Sequence, residues 1–313
     1  MPKKGYTSDG MVDDLEIVGI RKEGLVLPTK TRPKRISFVG SDGKSYDYLV
    51  KGREDLRLDA RVMQLFDTVN AALRRKSKRG YLPLFAKSYA VTPLADRVGL
   101  IEWIPELTSL NSLYRSWLEE EKLPGEGPEK SHSSTATGEG TRPRDAIAKD
   151  TENFEGVPSL AKKFNVQLVE SARAIGYDLG AHQRAAWPKS LLLSVFHSLR
   201  NETPDDLVVQ FQWCASSSTS DWWRKHKNFI ASSSVTSMVG YLLGLGDRHP
   251  DNVLFDHNSG AVVHIDFNVC FDKGVRLRVP ELVPFRLTST IIKALGISGA
   301  HGVFQVSKLP PLC

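Results

Sequence analysis

The chain reads as an α+β protein of two lobes, a small and mostly antiparallel sheet followed by a mostly helical body. Three observations predict it. Short apolar-alternating segments recur up to residue 104, helical spacing dominates from residue 158 onwards, and a polar stretch rich in Gly, Pro, Ser and Thr lies between them.

Residues 1–13 are read as a flexible N-terminus. Leu15-Glu16-Ile17-Val18-Gly19-Ile20 is the first expected strand. Arg35-Ile36-Ser37-Phe38-Val39 and Tyr46-Asp47-Tyr48-Leu49-Val50 flank Gly40-Ser41-Asp42-Gly43, a turn signature that makes them a hairpin. Leu58, Val62, Leu65, Phe66 and Val69 recur at spacings of three and four, which predicts a helix over 57–75. Its basic end, Arg74-Arg75-Lys76-Ser77-Lys78-Arg79-Gly80, is read as a solvated loop after a helix C-terminus in preference to a nuclear-localisation signal. Ser88-Tyr89-Ala90-Val91 and Leu100-Ile101-Glu102-Trp103-Ile104 complete the sheet, and the first lobe spans 14–105.

The second lobe spans 106–313 and opens with a helix near 108–121. From 119 to 157 Phe154 is the only aromatic residue, so this insertion is expected to be disordered, with too little apolar surface to offset its ordering entropy. Helices are predicted over 159–175, 188–201, 204–213 and 219–243, with Pro188 and Pro204 at helix starts. The pair Trp222-Trp223 is assigned to packing. Asn252-Val253-Leu254-Phe255 and Ala261-Val262-Val263-His264-Ile265 form a last hairpin through Asp256-His257-Asn258-Ser259-Gly260.

Of 313 residues, 41% are hydrophobic and 25% charged, which excludes a chain disordered throughout or fibrous. Forty-two Lys and Arg against 36 Asp and Glu leave a formal net charge of +6, which permits an anionic ligand without demanding one. Cys214, Cys270 and Cys313 form no CxxC pair, so neither a disulfide framework nor a thiolate zinc site is expected. No apolar run reaches the ~18 residues of a membrane span, and no signal-peptide pattern follows Met1. The expected setting is cytosolic or nuclear. No direct nucleic-acid contact and no membrane contact are predicted.

The densest polar cluster is Gly244-Leu245-Gly246-Asp247-Arg248-His249-Pro250-Asp251-Asn252, followed by His264-Ile265-Asp266-Phe267-Asn268. Phosphoryl transfer needs a carboxylate near the attacking hydroxyl, with an amide and a second carboxylate to hold Mg²⁺ against nucleotide phosphates. Asp247 and Asn252 stand five apart, the Asp-to-Asn offset of a protein-kinase catalytic loop, although Asp247-Arg248-His249 reverses the usual His-Arg-Asp order. A metal-hydrolase site of His249, His257 and His264 lacks the helical spacing of a zinc box.

Lys51 closes an apolar strand, and Glu54, Asp55 and Asp59 lead into the next helix, a pattern open to a lysine–carboxylate pair at a nucleotide site or to ordinary strand-end and helix-start charges. The basic turn Leu27-Pro28-Thr29-Lys30-Thr31-Arg32-Pro33-Lys34 has neither a Walker A sequence nor GxGxxG, so a phosphate cradle around Thr29 would rest on backbone N–H groups and cations. Trp103 could stack on an adenine ring, with backbone groups of Glu102 to Ile104 reading its edge, or be a core residue.

At Gly246-Asp247-Arg248-His249-Pro250-Asp251-Asn252 and Val263-His264-Ile265-Asp266 the chain resembles the phosphatidylinositol 3-kinase-related protein kinases. The resemblance extends from 14 to 306 and includes Lys51-Gly52-Arg53-Glu54-Asp55-Leu56-Arg57-Leu58-Asp59 and Val283-Pro284-Phe285-Arg286-Leu287-Thr288. Asp266-Phe267-Asn268-Val269-Cys270-Phe271-Asp272-Lys273-Gly274 and Leu277-Arg278-Val279-Pro280-Glu281 are most similar to the nonsense-mediated mRNA decay branch of that family.

The resemblance implies a bilobal protein-kinase-like fold of the phosphatidylinositol 3/4-kinase type. It also implies transfer of the ATP γ-phosphoryl to Ser or Thr, commonly before Gln, on the RNA helicase of the decay pathway, with decay-complex subunits as partners. By position, Lys51 would contact ATP phosphates with support from Glu54 and Asp59, and Trp103 would lie against adenine. Asp247 would orient the substrate hydroxyl, His249 would assist the proton or the transferred charge, and Asn252 and Asp266 would bind Mg²⁺ or Mn²⁺. Residues 267–286 would recognise substrate, where Lys273, Arg276, Arg278 and Arg286 could equally meet acidic peptide or a phosphoinositide headgroup. A lipid kinase and a truncated, noncatalytic ATP-binding module are therefore the rival readings. Asn268 stands where the family has glycine, and the family's C-terminal helices are expected beyond Cys313.

Overall fold

The computed structural model describes residues 15–28, 31–76, 82–122, 160–182, 184–277, 280–281, 283–302 and 304–305. Thr29, Arg278, residues 1–13, the insertion beyond Lys122, the end of the basic run at 77–80 and residues 307–313 lie outside them.

Alternation in the first hundred residues builds one sheet from β1 (Ile17–Ile20), β2 (Leu25–Val26), β3 (Lys34–Gly40), β4 (Ser45–Gly52), β5 (Val91–Ala95) and β6 (Val98–Glu102). Every pairing is antiparallel, in the order β1-β3-β4-β6-β5 with β2 also on β3. The predicted hairpin is β3–β4, with Ile36 opposite Tyr48. Its turn works because Gly43 takes a φ of 74° and the Asp42 carboxylate accepts the Lys44 N–H at 3.0 Å.

Helix α1 (Arg57–Lys76) packs on this sheet, with Asp59 in its first turn and Arg74, Arg75 and Lys76 in its last, as the helix dipole favours. The strand expected at 88–91 starts only at Val91. Side chains explain the shift. Asn70 accepts the Ala86 N–H and donates to the Ala86 carbonyl, both at 2.8 Å, and Ser88 donates to Asp67, so 86–88 is tied to α1 and regular pairing with β6 begins only at Val91.

A second sheet, β7-β8-β9, lies at the junction of the lobes. The expected hairpin supplies β8 (Val253–Asp256) and β9 (Val262–His264), and β7 (Leu107–Ser109) adds a strand that three residues of sequence do not reveal. Helix α2 (Leu110–Lys122) therefore starts after a strand and runs into the first residues given to the insertion.

Among the described residues the remaining α-helices are α3 (Leu160–Ala174), α4 (Lys189–Glu202), α5 (Leu207–Cys214), α6 (Thr219–Leu243) and α7 (Ser289–Ala294). Helix α6 begins where Ser218 accepts the Asp221 N–H and stops at Gly244, left-handed at φ 55°. Its Val235 and Val239 join Val62, Met63 and Phe66 of α1, Tyr89, Val263, Phe267 and Cys270 in one cluster that runs through both lobes. Trp222 is partly covered at the start of α6, but Trp223 is 53% exposed, so the packing assignment fails for the second tryptophan.

Candidate active site

A cleft of about 770 Å³ opens between the sheets. Leu49 and Ile101 line it from the first lobe, Leu254, Val263 and Ile265 from the second, and residues 102–107 close its side. Apolar surfaces on both sides of a slot suit a flat ring.

The connector residues divide the work. The Glu102 N–H donates to the Ala90 carbonyl at 2.8 Å, and its carboxylate accepts the Ala90 N–H at 2.7 Å. Trp103 spends its N–H on the Asp47 carbonyl at 2.9 Å, and the Arg35 guanidinium lies 4.9 Å from the centre of its ring. Ile104 has no backbone partner among the described residues, so its peptide group is open to a ligand in the cleft.

Lys51 lies near the end of β4, and the chain turns sharply after it with Arg53 at φ 67°. That turn brings Glu54 back, and the Lys51 Nζ sits 3.1 Å from its carboxylate. Asp59 takes a different part. It is 4% exposed, one oxygen accepts the Phe267 N–H at 3.3 Å, and the other has no hydrogen-bond partner. Burial pushes its carboxyl above the usual range, against the pull of the Phe267 amide and the Lys51 charge. Glu54 thus supports Lys51 directly, whereas Asp59 ties α1 to the loop that carries Asp266.

Asp247 follows α6 with a left-handed backbone at φ 55°, and its carbonyl accepts from Asn252 Nδ2 at 3.0 Å. Asn252 is buried, its bond to Asp247 uses Nδ2 and so leaves Oδ1 to accept, and its own carbonyl accepts the Ile265 N–H at 3.3 Å. Asp266 comes next, also left-handed at φ 59°. His249 is exposed, and its Nδ1 accepts the Asp251 N–H at 3.2 Å, so a neutral ring carries its proton on Nε2. Asp247, Asn252 and Asp266 are held on adjoining segments by these backbone bonds. The oxygens of Asn252 and Asp266 fit a hard cation such as Mg²⁺ or Mn²⁺, which takes few protein ligands and completes its shell with phosphate and water.

A family model described as phosphatidylinositol 3- and 4-kinase matches residues 45–309. The chain belongs to that family. Serine/threonine-protein kinase SMG1 of Danio rerio is 40% identical over 301 residues, which cover 95% of this chain and 8% of the relative. Serine/threonine-protein kinase TOR of Oryza sativa subsp. japonica is 35% identical over 284 residues, covering 90% and 10%. Among solved structures, one described as the FAT and kinase domain of CtTel1 superposes with a TM-score of 0.65 at 28% identity, covering 97% of this chain and 18% of that one. The chain thus spans a small part, 8–10%, of these two curated relatives.

Asn268 does not take a left-handed backbone; the left-handed positions on either side of it are Asp266 and Phe271. The Asn268 side-chain amide donates to Asp266 Oδ1 at 2.8 Å and so holds the carboxylate. Arg248 was assigned nothing, yet it is 4% exposed and donates to the carbonyls of Gly246, Ile265 and Asp266. It clamps the two loops together. Its sequence signal was a cation placed between the catalytic candidates.

The metal-hydrolase reading finds no support. Among the described residues no three His, Cys, Asp or Glu are grouped to hold a metal ion. His257 contacts Thr108 at 2.6 Å, and burial followed by the Arg248 charge pushes His264 down to about 3.

Proposed function

We propose that this chain is a Mg²⁺/ATP-dependent serine/threonine protein kinase domain, acting on Ser or Thr before Gln in the RNA helicase of nonsense-mediated mRNA decay. The observation that carries the phosphotransfer reading is that the Asn252 side chain bonds the Asp247 carbonyl while the Asn252 carbonyl accepts the N–H of Ile265, the neighbour of Asp266, with Lys51 paired to Glu54 in the other lobe. The names of the similar proteins support the choice of a protein hydroxyl as acceptor.

In this reading Lys51 binds the nonreacting phosphates, oriented by Glu54. Asp247 accepts a hydrogen bond from the substrate hydroxyl and aims it in line with the γ-phosphorus, and His249 receives the released proton or balances the transferred charge. A new O–P bond forms as the bond to the β-phosphate oxygen breaks, and ADP departs with the bonding pair. Asn252 and Asp266 would hold Mg²⁺ or Mn²⁺, which supplies charge neutralisation on the phosphates. Decay-complex subunits would be the partners.

The lipid-kinase alternative has less behind it. Lys273 Nζ already donates to the Asn268 carbonyl at 3.1 Å and Arg276 is paired with Asp272, so neither cation favours a headgroup over an acidic peptide, and the names of the similar proteins favour the protein acceptor.

The test is transfer from labelled ATP, with Mg²⁺ or Mn²⁺, to a Ser-Gln peptide and in parallel to phosphoinositide, with Asp266→Ala as the blank. Peptide labelling that disappears in Asp266→Ala is the expected result. Lipid labelling would replace the assignment, and nucleotide binding without transfer would point to the noncatalytic module. Lys51→Ala should lower transfer by at least about a hundredfold with little change in Tm, because its ion pair is partly open to water.

A further inference from the structure

We propose that Glu281 is a positioning residue for Asp247, so that the segment following Asp266 sets the geometry of the catalytic loop; this rests on the kinase reading above. Asp247 is a non-glycine residue held left-handed at φ 55°, a conformation that persists only when its surroundings enforce it. Two side chains do so. Asn252 donates to its carbonyl at 3.0 Å, and from the other side the Glu281 carboxylate accepts its N–H at 2.8 Å. The second is a charge-assisted bond, the stronger kind.

The surroundings of Glu281 are shaped for this reach. The Glu281 N–H donates to the Gly274 carbonyl at 3.1 Å, which holds Glu281 beside Gly274 with its side chain at 246–247. A Cβ on Gly246 would lie 2.5 Å from the Glu281 carboxylate and 3.2 Å from the Gly274 Cα, so the backbone must be bare where the carboxylate passes. The Gly246 N–H donates to the Val269 carbonyl at 2.9 Å, a further stitch between the same two segments. Glu281 does not line the base-binding cleft. It therefore acts on the reacting hydroxyl through Asp247 and not on nucleotide affinity.

The experiment compares Glu281→Ala and Glu281→Gln in the full chain by kcat, KM for ATP, Tm, and hydrogen exchange at the Asp247 amide. Glu281→Ala is expected to lower kcat by about ten- to a hundredfold with KM for ATP within about twofold, and to speed exchange at Asp247. Glu281→Gln keeps an acceptor oxygen and should recover most of the kcat and the exchange protection. Unchanged exchange at Asp247 in Glu281→Ala overturns the proposal, as does a Gln variant no better than Ala. The exchange measurement needs no turnover, so with an inactive wild-type chain, which would sink the kinase reading, it still decides whether Glu281 holds Asp247.

Discussion

Helix α1 and the α3–α4 pair are both amphipathic, yet they bury their apolar faces against different things. The α1 face enters the cluster shared by the lobes, with Phe66 edge-on to Phe267 at 5.9 Å, one residue from Asp266. The α3–α4 faces meet each other: Leu168 and Ala172 pack with Leu191, Val195 and Leu199, and every member of that cluster lies between 164 and 199. Burial stabilises both. Only α1 shares its core with loops that carry reactive groups, so damage there should reach the chemistry, whereas damage in α3–α4 should stay local.

The largest expected effect is Phe66→Ala. This side chain is 1% exposed, and its loss should cost about 3–5 kcal/mol in denaturant unfolding. Turnover per folded molecule should fall as well, because Phe267 loses its ring partner; unchanged turnover would break the comparison. Leu168→Ala, equally buried at 1%, should cost about 2–4 kcal/mol but leave kcat and KM for ATP as they are. A catalytic loss there would show that α3–α4 is coupled to the site after all.

Lys87→Met sharpens the contrast at the junction of the lobes. Lys87 Nζ lies 3.0 Å from the carboxylate of Asp256 on β8, whose side chain is 3% exposed. Burial alone would raise that carboxyl, but the Ser259 hydroxyl, Lys87 and the Asn258 amide outweigh it and hold it below its ordinary value of 3.8. Such a group stabilises the fold above the unfolded pKa, and the contribution is lost as pH falls through the lower folded value. Removing Lys87 should cost about 1–3 kcal/mol at neutral pH, and acid unfolding should begin at a higher pH. An unshifted acid transition would show that Ser259 and the backbone suffice.

Asp59→Asn should have the smallest effect and the opposite sign. The folded pKa of Asp59 is raised, so its contribution is complete below the unfolded value and is lost as pH rises through the folded one. Asn keeps an acceptor for the Phe267 N–H and has no charge to bury. Its Tm should therefore exceed that of the wild type near pH 7, with the gap closing towards pH 4. A variant less stable at neutral pH would mean that attraction to Lys51 outweighs the burial of Asp59.

Much of this was legible locally. The limits of α6 follow from the Ser218 and Asp221 cap and the Gly244 stop, and the β3–β4 hairpin follows from its Gly-rich turn. The Asp247-to-Asn252 offset was readable because those residues lie in one loop, where the Asn252 amide returns to the Asp247 carbonyl. The strand β7 was not, since three residues carry no period and its partner β8 lies far along the chain. Nor was the delayed start of β5, which Asn70 decides by holding Ala86.

The sequence by itself determined the α+β class, the order of most elements and the family motifs, because periodicity, caps and turn chemistry act over a few residues at a time. Tertiary structure decided which of those residues work together. Asp59 meets the Phe267 amide across 208 positions, Arg248 spans two loops, and Glu281 reaches Asp247 across 34. Apolar burial brings such partners together, and because it is non-directional it marks which residues are inside without naming the neighbour each will find there.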